Sequence, residues 1–162
     1  MKHIHIILSM LLTFAFADCY AQTGDVKTFS ILGDSYSTFE GYIPEGNACW
    51  YSTAPHGEND VTSVEQTWWH LFAKENGYEL LLNESYSGST ICNTGYDGAD
   101  YSDRAFTKRM FNVTAGDPDM IVIFGGTNDS WADAPVGELM YEGWSPEDMY
   151  SCLPACCFML DH

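Results

Sequence analysis

The chain has 162 residues, and 46% of them are hydrophobic, which excludes a disordered protein. Asp and Glu number 23 against 6 Lys and Arg, a formal charge of −17. So acidic a surface repels phosphate backbones and anionic head groups. It argues against nucleic acid and anionic membranes as partners and favours neutral substrates.

Residues 1–21 read as a secretory signal peptide. Lys2 and His3 give a short basic start, Ile4 to Phe16 is an almost unbroken apolar run, and Cys19-Tyr20-Ala21 ends on a small residue. The run is shorter than the roughly 20 apolar residues of a spanning helix. The expectation is export to the periplasm or exterior after cleavage near Ala21, with no membrane span. Residues 22–162 then form one domain of ordinary size. Cleavage removes Lys2 and Asp18, one charge of each sign, so the acidity is unchanged.

Residues 27–32 (KTFSIL) read as a first strand that runs into Gly33-Asp34-Ser35. Residues 36–62, rich in Gly, Pro, Asn and aromatics, show no period and read as a long loop. Ser63 and Gln66 form a capping-box pattern that opens a helix. Val64, Trp68, Leu71 and Phe72 share its apolar face, and Gly77 stops it. Residues 78–82 (YELLL) read as a second strand, 83–103 as a polar turn region and 104–111 as a short helix. Asp117-Pro118-Asp119 introduces the third strand, Met120 to Phe124. Its unbroken apolar, β-branched run is expected of a strand buried on both faces of a parallel sheet. Gly125-Gly126 ends it. Ser145-Pro146-Glu147-Asp148 is a strong helix start. Met149, Leu153, Cys156, Cys157 and Leu160 follow as one apolar stripe, and Pro154 is expected to kink or restart the helix. The alternation of strand and helix predicts an α/β parallel sheet.

Three short motifs lie just after these strands, where open α/β sheets bind ligands. They are Gly33-Asp34-Ser35-Tyr36-Ser37, then Asn83-Glu84-Ser85-Tyr86-Ser87-Gly88-Ser89-Thr90, then Gly125-Gly126-Thr127-Asn128-Asp129. Each alone is also an ordinary turn. At three successive strand ends, and in this order, they resemble the SGNH (GDSL-type) hydrolases, from about Lys27 to the end of the chain. The resemblance implies a three-layer flavodoxin-like parallel sheet of order 2-1-3-4-5, with only the first three strands present here. It implies a serine esterase with Ser35 as nucleophile. The Ser35 N–H, the Gly88 N–H and the Asn128 side-chain N–H would form the oxyanion hole, and no cofactor or metal is involved. Such donors, fixed beforehand toward the developing negative oxygen, are each worth about 3 kcal/mol of barrier. Asp34 reads as a loop-ordering residue rather than a catalytic acid.

The expected substrate is a small acyl ester, with acetyl groups on carbohydrate as the preferred class. Trp50 and Tyr51, with Tyr42, form either a stacking platform for it or packing under the long loop. Tyr86 and Thr127, inside the motifs, complete the expected substrate-binding set. The family's D-x-x-H block, which supplies the base, does not occur. His70 reads as a surface residue and His56 as a loop residue without a suitably spaced Asp. Asp161-His162 is rejected because the two are adjacent and follow the third strand. Without a fourth strand the third would also be an exposed hydrophobic edge. The expectation is therefore the N-terminal part of a longer hydrolase, inactive alone.

Five cysteines survive cleavage. Cys49 with Cys92 is one conceivable pair. Cys152, Cys156 and Cys157 lack paired C-x-x-C spacing and read as small core residues on a helix. Asp97, Asp100 and Asp103 read as a solvated acidic loop. Two other classes stay open: a non-catalytic carbohydrate-binding module that retains the cleft, and an interaction protein that assembles through its third strand or odd cysteine.

Overall fold

Strands β1 (Lys27–Gly33), β2 (Tyr78–Ser85) and β3 (Met120–Phe124) form a parallel sheet of order β2-β1-β3 in the computed structural model of the chain. The structure describes residues 26–162 apart from positions 55, 56 and 58. The signal peptide expected over residues 1–21 and the loop residue His56 lie outside the described residues. The α/β architecture is the one that the alternation of elements predicts.

β1 is the central strand and alternates its burial. Phe29 and Ile31 face one side, where they pack with Phe39 and Trp69 against Trp68 and Phe72. Leu32 faces the other side, against Phe106, Met110 and Val113. All three β1 side chains are fully buried, so the strand that ends in Gly33-Asp34-Ser35 is the best anchored in the molecule.

Helix α1 (Trp68–Asn76) covers the first face. The predicted Ser63–Gln66 capping box is present, but it caps a single 3-10 turn over Val64–Gln66. Thr67 then caps α1 by accepting from the His70 N–H, and Gly77 ends it as expected. Of the predicted face, Val64, Trp68 and Phe72 pack against the core, but Leu71 is exposed and Trp69 is buried in its place. The break at Thr67 shifts the helical phase, so a period counted from Val64 selects the wrong residue.

Four other segments differ from expectation. β2 runs three residues further than predicted and takes in Asn83-Glu84-Ser85, because these polar residues pair with Ile31, Leu32 and Gly33 of β1. The helix expected over 104–111 contracts to α2 (Phe106–Arg109). Thr127–Trp131, for which the sequence predicts no element, forms a short helix, α3. The stripe expected from Met149 to Leu160 is broken at Ser151 into a 3-10 turn and α4 (Cys152–Asp161). Pro154 lies in the first turn of α4, where its missing N–H costs no helical bond. Leu160 is exposed.

β3 is not buried on both faces. Ile121, Ile123 and Phe124 are 40%, 43% and 46% exposed. β3 pairs with β1 on one side, and among the described residues no strand pairs with its other side. Ile121 and Ile123 line a hollow with Leu32, Met110 and Met159.

Candidate active site

The ends of all three strands converge on one cleft of about 250 Å³, lined by Ser35, Tyr36, Trp50, Ser87, Gly88, Tyr96, Asn128 and Trp131. The topology explains the convergence. Parallel strands end on the same side, and β1 lies between the other two.

The turn after β1 is fixed from below. An added Cβ at Gly33 would lie 2.5 Å from Ser85 Oγ and 2.6 Å from Ser37 Cβ, so only glycine fits. Asp34 is buried and accepts from the Tyr36 N–H at 3.1 Å, and its own N–H donates to Phe124 O. Burial pushes its carboxyl above the ordinary value, and Asp129 adds to this; the Tyr36 N–H and Arg109 oppose. The structure thus gives Asp34 the loop-ordering part. Ser37 is held by three donors: the Trp69 indole and the Asn83 amide donate to its carbonyl, and the Trp68 indole to its hydroxyl. Ser35, between these anchors, is half-exposed at the cleft.

The turn after β2 carries Gly88 at φ 81, the left-handed region that glycine adopts without strain. The Tyr86 N–H donates to Gly33 O and the Ser87 N–H to Ala48 O, which ties this turn to the first motif and to the long loop. Neither the Ser35 N–H nor the Gly88 N–H donates to a backbone carbonyl among the described residues.

Asn128, on α3, is buried and lines the cleft. One N–H of its amide donates to Ser89 O at 2.9 Å, and its Oδ1 accepts from the Tyr96 hydroxyl at 2.7 Å. These two bonds set which way round the amide sits and leave its second N–H for the cleft. Burial first, then Tyr101, Asp34 and Asp129, raise the Tyr96 phenol above its ordinary value, so it remains a donor. Asp129 accepts from the Ile91 and Cys92 N–H groups and so binds α3 to the loop after β2.

The three expected catalytic positions, Ser35, Gly88 and Asn128, therefore lie together. The four expected substrate-binding residues do not. Trp50 lines the cleft. Tyr51 packs against the core and lines a neighbouring apolar groove with Tyr36, Val61, Trp68 and Phe124. Tyr86 faces a separate polar hollow and stacks on the Arg104 guanidinium, 5.5 Å from its ring centre. Thr127 opens α3 and lines no described cleft. Tyr36, Ser87, Tyr96 and Trp131 were not singled out from sequence for the cleft. Tyr36 and Ser87 could have been found there, as they stand inside the motifs; Tyr96 and Trp131 carry no sequence signal. The two described histidines line no part of the cleft. His70 lies beside Trp69, and the His162 ring packs on Phe158 at 4.3 Å.

Residues 27–162 match the family model of the GDSL-like lipase/acylhydrolases. The crystal structure of a candidate GDSL-like lipase from Bacteroides ovatus is 59% identical, with a TM-score of 0.81 over 85% of this chain and 66% of that one. A second, from Bacteroides uniformis, is 57% identical, with a TM-score of 0.78 over 83% of this chain and 63% of that one. The chain spans just under two thirds of the length of these relatives. No curated protein matches.

Proposed function

Since the chain belongs to the GDSL-like lipase/acylhydrolase family, we propose that it carries the nucleophile of a serine esterase acting on small acyl esters. The observation that carries this reading is the convergence of Ser35 with three donors that have no other acceptor among the described residues: its own N–H, the Gly88 N–H and the second amide N–H of Asn128. Ester hydrolysis passes through a tetrahedral intermediate that places negative charge on one oxygen. Donors held rigid before the reaction stabilise that charge without reorganising. Ser35 Oγ attacks the acyl carbon as its proton passes to a general base, and the oxyanion that forms turns toward these N–H groups. Its collapse expels the protonated alcohol, and water then releases the acid from Ser35. The cleft is small and walled by Tyr36, Trp50 and Trp131, which favours a short acyl group with a flat or sugar-like alcohol. Acetylated carbohydrate is our proposed substrate class. The basic start and apolar run of residues 1–21 support action outside the cytoplasm.

The test is hydrolysis of p-nitrophenyl acetate by the product of the complete gene, with a fluorophosphonate probe to mark the nucleophile. Turnover, with the probe on the Ser35 peptide, is expected. A label elsewhere, or ligand binding without turnover, would favour the carbohydrate-binding alternative. Asn128→Ala is expected to lower kcat by about a hundred- to a thousandfold.

Tyr96 acts through Asn128. Tyr96→Phe keeps the ring in the cleft but frees Oδ1, so the amide can turn over and present its oxygen to the oxyanion. The expected result is a kcat about tenfold lower with KM within about twofold. A rise in KM at constant kcat would instead make Tyr96 a substrate contact only.

A further inference from the structure

We propose that Cys92 and Cys152 form a disulfide that fastens the start of α4 to the loop behind Asn128. The two Sγ atoms lie 3.9 Å apart, in contact, although the residues are 60 positions apart in sequence. Cys92 is fully buried in the loop after β2, and Cys152 is the half-exposed first residue of α4. The backbone on both sides is already docked: the Asn93 N–H donates to Met149 O at 2.7 Å, and the Thr94 hydroxyl to Tyr150 O at 2.7 Å. Bringing the sulfurs to about 2.05 Å thus requires side-chain rotation and no movement of an element. All five described cysteines are free in the structure, and Cys49, conceivable from sequence as the partner of Cys92, makes no contact with it. Cys49 is exposed and its thiol bonds to Tyr51 O.

The alternative use of this cluster is a metal site, since Asp129 completes a trio with the two thiols. The carboxylate is already engaged, however. Its two oxygens accept from the Ile91 and Cys92 N–H groups, and the Cys152 thiol lies 3.7 Å from Oδ1. Burial, and then this same carboxylate, hold the Cys152 thiol above its ordinary pKa. An uncharged disulfide removes two protonated thiols from beside Asp129 and leaves the carboxylate's three N–H contacts intact.

The oxidant is a small disulfide such as oxidised glutathione. Cys152, the more exposed thiol, loses its proton and attacks one glutathione sulfur, releasing one glutathione thiolate and leaving a mixed disulfide. Cys92 then loses its proton and attacks Cys152 Sγ, expelling the second glutathione. Two cysteine thiols are oxidised and one glutathione disulfide is reduced to two thiols.

The experiment incubates the purified chain with oxidised glutathione, alkylates it under denaturing conditions, digests it and analyses the peptides by mass spectrometry. A Cys92–Cys152 linked peptide with Cys49 alkylated is expected. The thermal midpoint should fall by about 10 °C on reduction, and Cys152→Ser should abolish that reductant-dependent shift. The peptide readout on the unmutated chain stands even if the variant folds poorly. Full alkylation of both cysteines, a link from Cys92 to any other cysteine or chain, or one equivalent of zinc held by unlinked thiols would each overturn the proposal.

Discussion

Replacing Ser35 with alanine, in the product of the complete gene, is expected to lower kcat/KM for p-nitrophenyl acetate by on the order of a millionfold, the scale measured when a serine nucleophile is deleted elsewhere. The melting temperature should stay within about 2 °C. Both halves follow from how the turn is built. What Ser35 gives to the fold is backbone: its carbonyl accepts from the Thr38 N–H at 3.2 Å and from the Thr38 hydroxyl at 2.8 Å. Alanine keeps that carbonyl and the Ser35 N–H. The neighbours that hold the turn, Asp34 and Ser37, carry their own bonds to Tyr36, Trp68, Trp69 and Asn83. Only the hydroxyl facing the cleft is lost. Residual hydrolysis within tenfold of the parent enzyme would remove Ser35 as nucleophile. A large fall in melting temperature would show that the hydroxyl serves the fold.

The three-strand frame was legible because each strand ends in residues with a single physical use. Gly33 must be glycine where Ser37 and Ser85 crowd it, and Gly88 must be glycine at its positive φ. Such requirements leave a trace in sequence, and the three motifs carried it. What escaped were properties set by distant partners. Nothing local in Asn83-Glu84-Ser85 indicates strand; β1 lies alongside and extends β2 through them. Nothing around Tyr96 in the acidic loop announces a hydrogen bond to a residue 32 positions away. Tyr51 stands out for its ring and Tyr86 for its place in the second motif, but a ring serves packing and binding equally well, and the fold turned one to the core and the other to Arg104. Leu71 was misassigned because the helical period was counted across the break at Thr67.

Arg109 is the largest such omission, and its replacement is expected to cost stability and site geometry together. The side chain is 5% exposed, yet it forms no ion pair among the described residues. Its guanidinium donates to Glu84 O, to Gly33 O at 3.2 Å, to Ser89 Oγ at 2.8 Å and to Arg104 O at 2.8 Å. Three of those acceptors lie at the ends of β1 and β2 and in the turn that carries Gly88, and Arg104 O lies just before α2. One planar fork therefore sets the spacing between the strand that leads into Ser35 and the Gly88 turn. Burial lowers its pKa to about 10, so it stays charged at neutral pH with its donors intact. In Arg109→Met the guanidinium's stacking on the Phe106 ring is lost, and three carbonyls and a hydroxyl lose the donor it supplied. Gly33 O keeps the Tyr86 N–H and Ser89 Oγ its bond to Tyr86 O; at about 1 kcal/mol for each bond lost, a loss of about 3–5 kcal/mol is expected, visible as a lower urea midpoint at unchanged m-value. Arg109→Lys separates charge from geometry. Lysine keeps the charge but gathers its donors on one nitrogen, which cannot span acceptors on three segments. If the fork is what matters, lysine should recover less than half of the lost stability. Full recovery by lysine would show that a buried positive charge near Glu84 and Asp34, rather than a rigid spacer, is what the strand ends require.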